Sequence, residues 1–384
     1  MVQNAMKLFL VAGEPSGDRL GAALMAGLKT LVPEVEFSGI GGPMMQAEGM
    51  ASLFPMDELS IMGIAEVLPK YRALKRRIAQ TASAVLAAAP AALITIDSPD
   101  FCLRVAKIVK QAQPSLRTIH YVAPSVWAWR PGRAAKMARM IDHVMALLPF
   151  EPPYMTAAGM TCDFVGHPVV AEPVATGAQG AAFRASHDIA QDVPLIAVLP
   201  GSRKGEITRL APQFGAVVRG VIAKHPAARI LIPTLQSRTA LVQDLTQDWP
   251  GRPVYLTSPD PQERAAALTA ADVALAASGT VSLELAAQSC PMVIAYDLNR
   301  LTYWLMRKMA LIDTVTLVNL VTETRTVPEF LGERCRADLI TPAVLQVLDR
   351  NTDQLAAMRK TMLMLGQGAT PPGLRAARSV LSAL

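Results

Sequence analysis

A turn in the second half of the chain combines residues that could bind an anion. Residues 200–205 read PGSRKG, follow an apolar run at 195–199 and precede a helix-compatible segment. Backbone N–H groups at a helix start, together with the helix dipole, favour negative charge. Ser202 and Arg203 add a hydroxyl and a cation. Taken alone, an ordinary turn with its arginine in solvent explains this pattern equally well.

A second turn after an apolar run makes a nucleotide site the better interpretation. It consists of Ser278, Gly279 and Thr280 and also leads into a helical pattern. Glu284 lies on the same helix face as Thr280, because residues four apart stack. A phosphate at the helix start and a carboxylate on ribose hydroxyls would form a nucleoside diphosphate site. The alternative is that Glu284 is only a helix-forming residue.

Several familiar nucleotide and metal motifs are absent from the sequence. There is no G-x-x-x-x-G-K-[ST], which argues against a P-loop NTPase. GIGGPM at 39–44 lacks the third glycine of a dinucleotide fingerprint, and GEPSGD at 13–18 does not match it. No Asp-x-Asp occurs, and strand-end histidines such as His120 and His167 show no metal-ligand spacing. What remains is a diphosphate site that uses no metal.

The first half supplies a different kind of residue, a carboxylate at a strand end. In ITIDSPDFC, Asp97 ends the apolar run, and Asp100 is placed to cap a helix from Phe101. Asp97 could deprotonate a hydroxyl nucleophile if apolar surroundings raised its pKa. Without further evidence, two helix-capping aspartates are the preferred interpretation. Nearby, Trp127 and Trp129 alternate in a basic loop that suits either a ligand platform or simple packing.

Residues 59–77 combine apolar side chains at helical spacing with a cluster of Lys and Arg. Such a pattern fits an interfacial helix on anionic lipid. It also fits a core-facing helix with a solvated basic end, which is the commoner case. Its apolar positions include Met62, Ile64, Val67 and Leu68.

The elements around these residues predict an α/β protein. Short apolar runs alternate with helical patterns in two series, which indicates parallel sheets covered on both faces. The 384 residues suffice for two doubly wound domains, with a Gly- and Pro-rich boundary at 166–182.

The net charge of +6 favours anionic partners. Scattered cysteines, a short N-terminal apolar run and no bilayer-length stretch predict a cytosolic protein that could still contact a membrane.

Taken together, the motifs resemble the lipid-A-disaccharide synthase family over almost the whole length. No single motif suffices, but their joint order is specific. In chain order they are LVAGEPSGDRLGA, GGPMMQAEGM, MGIAEVLP, IDSPDF, IHYVAPSVWAWRPGR, FVGHP, LPGSRKGE, AASGTVSLELA, PMVIAY and LVNLV.

The resemblance implies a GT-B fold of two Rossmann-like domains with a C-terminal helix crossing back to the first. We expect an acceptor and lipid-side domain at 1–169, joined by the tail at 356–384, and a UDP-sugar domain at 170–355. The implied reaction transfers 2,3-diacylglucosamine from UDP-2,3-diacylglucosamine to 2,3-diacylglucosamine 1-phosphate (lipid X), with inversion and without metal or cofactor. The implied location is the cytoplasmic face of the bacterial inner membrane, with no nucleic-acid partner; a homodimer stays open.

The resemblance also assigns roles to residues. Asp97 becomes the catalytic base. UDP is expected on the second domain, and acyl groups or membrane on the first. The implied donor residues are Ser202, Arg203, Ser278, Gly279, Thr280, Glu284 and Asn319. The implied acceptor or lipid-side residues are Gly13, Glu14, Ser16, Met62, Ile64, Val67 and Leu68.

One departure and two rival functions accompany this assignment. After VPEFL the family usually carries glutamine, whereas this chain has Gly332. A UDP-sugar epimerase would use similar turns but needs no lipid surface. A non-catalytic carrier would need no base such as Asp97 in addition to Arg203, the cation expected to bind the diphosphate.

Overall fold

The computed structural model describes residues 5–59, 64–297 and 308–384, with the backbone alone described at 64–71. The chain divides into two compact units. Unit 1 comprises residues 1–170 and 368–384, and unit 2 comprises residues 171–367.

Unit 1 is built on a seven-stranded sheet whose strands pair in parallel. Its strands are β1 (Met6–Ala12), β2 (Val35–Ile40), β3 (Ala51–Ser52), β4 (Ala92–Ile96), β5 (Arg117–Tyr121), β6 (His143–Ala146) and β7 (Thr161–Phe164). Its helices are α1 (Pro15–Leu31), α2 (Pro43–Ala47), α3 (Ile64–Ala88), α4 (Pro99–Ala112), α5 (Gly132–Met137) and α6 (Pro152–Thr156). Central strands such as β4 are buried throughout, as expected for a parallel sheet covered on both faces.

Unit 2 is built on a six-stranded sheet that also pairs in parallel. Its strands are β8 (Leu195–Leu199), β9 (Arg229–Pro233), β10 (Val254–Leu256), β11 (Val273–Ala276), β12 (Met292–Tyr296) and β13 (Glu329–Leu331). Its helices are α7 (Gly177–Ser186), α8 (Lys204–Lys224), α9 (Thr239–Thr246), α10 (Pro261–Ala270), α11 (Val281–Ala287), α12 (Leu317–Thr322), α13 (Ala337–Asp349) and α14 (Thr352–Met364).

Each sheet has one point at which the strand order reverses. The order is β3-β2-β1-β4-β5-β6-β7 in unit 1 and β10-β9-β8-β11-β12-β13 in unit 2. The reversals fall between β1 and β4, where Ala12 pairs with Ile96, and between β8 and β11, where Leu199 pairs with Ala276. Ligands of open α/β sheets bind beyond the carboxyl ends of the strands at such switch points. The turns that follow these four strands are therefore the first places to look for a site.

The chain returns to unit 1 through its last helix, α15 (Pro372–Ala383). This helix packs against α1. The imidazole of His143 lies 2.7 Å from Ser379 Oγ, which donates a hydrogen bond to Asp163 at 2.8 Å. The predicted crossing of a C-terminal helix back to the first domain is confirmed. The expected start of the tail at 356 is wrong, because α14 packs on α11 and α12 and belongs to unit 2.

The α1–α15 contact depends on a close approach of two glycines. A Cβ on Gly27 would lie 2.6 Å from the carbonyl oxygen of Gly373. We expect Gly27→Ala to lower the melting temperature, because overpacking costs of roughly 1–3 kcal/mol outweigh a helix-propensity gain of up to about 1 kcal/mol. Gly177→Ala is the control, since nothing lies within 4 Å of its Cβ position. A Gly27→Ala protein that melts at or above wild type would contradict this account.

Candidate functional site

The turn after β8 exposes a helix start and a cation. Gly201 has φ +108°, in the left-handed region that favours glycine, and a Cβ there would lie 2.8 Å from Glu206 Oε2. Ser202 is exposed, and the Arg203 side chain is 67% exposed. Helix α8 then begins at Lys204. The predicted anion-binding arrangement of backbone N–H groups, hydroxyl and guanidinium is therefore geometrically available at this strand end.

Glu206 organises this turn, and sequence reasoning missed it. Its Oε2 accepts the backbone N–H of Arg203 at 3.3 Å, and its Oε1 accepts Arg203 Nη1 at 3.2 Å. The hydroxyl of Tyr296, at the end of β12, donates to the same Oε1 at 3.0 Å. Burial and the adjacent Glu206 carboxylate raise the pKa of Tyr296. The only sequence signal for Glu206 is its place as third residue of the helix, where an acidic side chain can bond back to the cap.

The turn after β11 presents Ser278, Gly279 and Thr280 at the neighbouring strand end. Gly279 is exposed with φ +148°, and its carbonyl accepts Ser282 Oγ at 3.0 Å. Glu284 follows one turn into α11, as predicted. Its Oε2 accepts Nε and Nη2 of Arg264 at 3.2 and 2.9 Å. The structure thus brings together Arg203, the SGT turn and Glu284 around the switch point of unit 2.

Asn319 differs from these exposed groups in its burial. It is fully buried in α12, and its Nδ2 donates to the Val327 carbonyl at 2.9 Å and to Thr314 Oγ1 at 3.3 Å. Its Oδ1 accepts the Val327 N–H at 3.0 Å. The amide therefore ties α12 to the segment before β13. A direct bond from Asn319 to the sugar-nucleotide donor stays a prediction. Both Nδ2 hydrogens are used, so only Oδ1 could accept a further hydrogen bond without one of these bonds being replaced.

In unit 1 the turns after β1 and β4 touch each other. A Cβ on Gly13 would lie 2.7 Å from Ser98 Oγ, so the close approach requires glycine. Glu14 is the N-cap residue of α1 and is half-buried, whereas Ser16 is exposed in the first turn. These residues and Asp97 accordingly share one edge of the sheet.

Asp97 occupies a strained position at this edge. It has φ +51° and is followed by Ser98 with φ +44°. Its backbone N–H donates to the Tyr121 carbonyl at 2.9 Å, and its side chain is half-buried. Two consecutive non-glycine residues with positive φ are uncommon and are typical of functional sites. The expectation that Asp100 caps the helix is wrong: α4 begins at Pro99, Ser98 is the N-cap residue, and Asp100 lies exposed in the first turn.

Asp18 supports the acceptor-side turn and was not predicted. Its buried carboxylate accepts the backbone N–H groups of Gly42, Met44 and Met45 at 2.8 to 3.0 Å. It thereby satisfies the start of α2 from within α1. The signal was present as the aspartate of GEPSGD, but its partners lie more than twenty residues away.

The basic-apolar segment at 59–77 is only partly described. Met62 lies outside the described residues, and of Ile64, Val67 and Leu68 the structure describes the backbone alone, in α3. Of the basic cluster, Arg77 bonds both oxygens of Glu58, at 2.8 and 2.6 Å. Lipid contact by this segment stays a prediction.

Two features are absent from the described ranges. No group of three or more His, Cys, Asp or Glu there could hold a metal ion. No helix within 5–59, 64–297 and 308–384 is both long and apolar enough to cross a membrane.

Comparison with known proteins decides the family. The family model for lipid-A-disaccharide synthetase matches residues 8–369. Curated lipid-A-disaccharide synthases from Ruegeria pomeroyi and Rhodospirillum centenum are 58% and 44% identical to this chain. The alignments cover 99% and 98% of this chain and 96% and 94% of those proteins.

The chain belongs to the lipid-A-disaccharide synthase family. It is a glycosyltransferase of lipid A biosynthesis, as the sequence predicted.

Solved structures of low identity share the fold. The UDP-GlcNAc 2-epimerase from Neisseria meningitidis has a TM-score of 0.61 at 11% identity, covering 98% of this chain and 99% of that one. MurG from Acinetobacter baumannii has a TM-score of 0.55 at 12% identity, covering 99% of both chains. The predicted GT-B fold is confirmed.

Position 332, where the resemblance implies glutamine and this chain has glycine, has an unusual backbone conformation. Gly332 is buried and adopts φ +56°, in the left-handed region, directly after β13. A glutamine there would be strained. The glycine at this position therefore suits its local backbone conformation.

The two tryptophans of this synthase-family loop have different environments. Trp127 donates its indole N–H to Glu151 at 3.1 Å and packs edge-on against Phe150 at 5.1 Å between ring centroids. Trp129 is 37% exposed and carries the Arg130 guanidinium 4.2 Å above its ring. Trp127 is thus a packing residue, and Trp129 is the one available to a partner.

His120, in β5, and His167, three residues beyond the end of β7, both make structural contacts. His120 Nδ1 lies 2.7 Å from Thr95 Oγ1, and His167 Nδ1 accepts the Val169 N–H at 3.2 Å. Burial lowers the pKa of both to about 4. Both imidazoles are therefore neutral near pH 7, as expected for histidines with a structural role.

Glu151 is a buried carboxylate with a testable titration. It is 4% exposed and also accepts the N–H groups of Leu147 and Leu148 at 3.1 and 3.0 Å. Burial raises its pKa to about 7, against an ordinary value of 4.5. The folded protein therefore binds more protons than the unfolded chain between these values, so the contribution of Glu151 to stability falls as pH rises from about 5 to about 7.

We expect Glu151→Gln to remove this pH dependence. The difference in the free energy of unfolding between wild type and variant should shift against wild type by up to roughly 3 kcal/mol from pH 5 to pH 8. Urea denaturation at pH 5, 6, 7 and 8 measures it. The exposed Glu333→Gln serves as control. A difference that is independent of pH would show that Glu151 titrates elsewhere.

Proposed function

We propose that this chain transfers 2,3-diacylglucosamine from UDP-2,3-diacylglucosamine to the 6-hydroxyl of lipid X. The products are the β-1,6-linked disaccharide 1-phosphate and UDP. The observation that carries the proposal is that the family model matches residues 8–369 and that candidate residues lie at both switch points. These are Asp97 in unit 1, and Arg203 with the SGT turn in unit 2.

The donor is assigned to unit 2. The exposed Arg203 guanidinium and the starts of α8 and α11 supply fixed hydrogen-bond donors for the diphosphate of the sugar nucleotide. The Neisseria epimerase binds UDP-GlcNAc, and HepE from Anabaena, with a TM-score of 0.58 at 11% identity over 99% of this chain and 100% of its own, binds UDP and glucose. The similar fold, together with the turns at the switch point of unit 2, supports a UDP-sugar here. Such donors stabilise the negative charge that develops on departing UDP.

Asp97 is assigned as the general base. Its carboxylate takes the proton from the acceptor 6-hydroxyl while O6 forms a bond to C1 of the donor sugar. The C1–O bond to the diphosphate breaks at the same time, and its electron pair leaves with UDP. A single displacement inverts the anomeric centre and needs one base and no covalent intermediate.

A cationic surface of unit 1 supports contact with the cytoplasmic face of the inner membrane. Exposed Trp129 is followed by basic residues at every third position: Arg130, Arg133, Lys136 and Arg139. Within the described part of the chain, none of these four side chains forms an ion pair. Unpaired cations beside an exposed tryptophan suit an interface of anionic lipid.

The reaction is tested by measuring UDP release from the donor, with and without lipid X, in EDTA and mild detergent. Wild type should release UDP only with acceptor and form the disaccharide. Asp97→Asn should lower turnover by roughly 10²–10⁴-fold, the usual contribution of a general base, with UDP affinity unchanged. Asp100→Asn, at the exposed neighbour, should retain turnover. Release without acceptor would instead indicate an epimerase or hydrolase, and an active Asp97→Asn would remove Asp97 as the base.

Membrane contact is tested with vesicles. Wild type should sediment with phosphatidylglycerol-containing vesicles and less with pure phosphatidylcholine. Arg130→Ala/Arg133→Ala should weaken this binding about 10-fold or more, because each basic residue near an anionic surface contributes roughly 1 kcal/mol. The matched control is Arg104→Ala/Lys107→Ala on α4, which removes the same charge from exposed sites. Equal losses in both variants would indicate a general charge effect and not this surface.

A further inference from the structure

The ion pair between Arg264 and Glu284 joins the starts of two helices beside the proposed donor site. Asp260 caps α10 by accepting the Gln262 N–H at 2.9 Å, which places Arg264 in the first turn. Arg264 reaches Glu284 in α11, one turn beyond Thr280. The two side chains are 35% and 40% exposed, so both are accessible to a ligand.

The geometry of the pair is one-sided. Nε and Nη2 of Arg264 donate to the same oxygen of Glu284, Oε2, at 3.2 and 2.9 Å. Across the described ranges the other oxygen, Oε1, has no hydrogen-bond partner. A glutamate on a short helix would otherwise sample several rotamers. Here the guanidinium holds one oxygen and leaves its neighbour to accept from a hydroxyl.

The pair also solves a charge problem. A bare carboxylate one turn from a diphosphate-binding turn would repel the anion, and the repulsion is largest where water is displaced. Arg264 cancels that charge while leaving the carboxylate able to accept hydrogen bonds. Hydrogen bonds from neutral hydroxyls to an ionised oxygen are stronger than neutral ones. Two adjacent hydroxyls, as in ribose, are the group that such an oxygen recognises.

We propose that Arg264 is a positioning residue that holds Glu284 for the hydroxyls of the donor ribose, and that the pair makes the site prefer ribonucleoside over 2′-deoxyribonucleoside diphosphates. This inference rests on the proposed UDP-sugar donor. If the ion pair only linked α10 to α11, its removal would change the stability of the protein and would weaken the binding of both nucleotides equally.

The test is calorimetric binding of UDP and 2′-deoxy-UDP to the full-length chain. Wild type should bind UDP about 10- to 150-fold more tightly, the range expected for a hydrogen bond to a charged group. Arg264→Ala should weaken both nucleotides, because the uncompensated Glu284 carboxylate then repels the diphosphate. It should weaken UDP about 3- to 10-fold more than 2′-deoxy-UDP, so that the ratio moves towards one. Arg264→Lys should retain part of the ratio, and it preserves a partner for Glu284 if the alanine variant folds poorly.

Two further variants separate the possible failures. Arg336→Ala removes a comparable exposed ion pair with Asp338 and should leave both affinities unchanged. Glu284→Gln should lower the UDP preference as Arg264→Ala does. If UDP binds but either Arg264→Ala or Glu284→Gln keeps the wild-type ratio, the inference is overturned and the UDP donor stands. If wild type binds neither nucleotide, the proposed donor falls and the inference with it.

Discussion

The reversal of strand order in each sheet is the constraint on which the candidate site depends. Where the order reverses, the chain leaves β1 and β4, or β8 and β11, towards opposite sides, so the turns between them are left uncovered. The central strands themselves are buried and largely apolar. Each switch point therefore offers a short stretch of accessible backbone at the end of a rigid sheet. The chain places its Gly-, Ser-, Asp- and Arg-containing turns at these four strand ends.

Unit 1 holds several strained residues at this edge. Asp97, Ser98 and Val122 have φ of +51°, +44° and +84°, and they follow the adjacent strands β4 and β5. Each such conformation costs on the order of 1–3 kcal/mol, with Val122 the least expected because it is β-branched. The paired strands and the bond from Asp97 N–H to the Tyr121 carbonyl hold these conformations. Strain concentrated at the end of a sheet is consistent with a carboxylate held in one orientation.

The strand ends could be predicted from the sequence because their signal is local. An apolar run followed by glycine and polar residues identifies the turns after β8 and β11 without knowledge of the fold. Asp18 could not be found in this way, because its partners lie more than twenty residues away. Glu206 and Glu151 were missed as well, because each combines local partners with one distant in sequence, Tyr296 and Trp127 respectively. Asn319 shows the converse limit: its motif is recognisable, but only the structure shows that its amide is used inside the protein.

The two turns of unit 2 share an electrostatic design. Arg203 pairs with Glu206 near the start of α8, and Arg264 pairs with Glu284 in α11. Each arginine is thus partly neutralised by a carboxylate on the helix that presents the turn. At the first turn, a diphosphate would gain the helix N–H groups and the Arg203 guanidinium but would compete with Glu206 for the latter. Binding of leaving group and product is then weaker than an unpaired arginine would allow. For an enzyme that must release UDP after each transfer, this moderation favours turnover, since tight binding of ground states does not accelerate the chemical step.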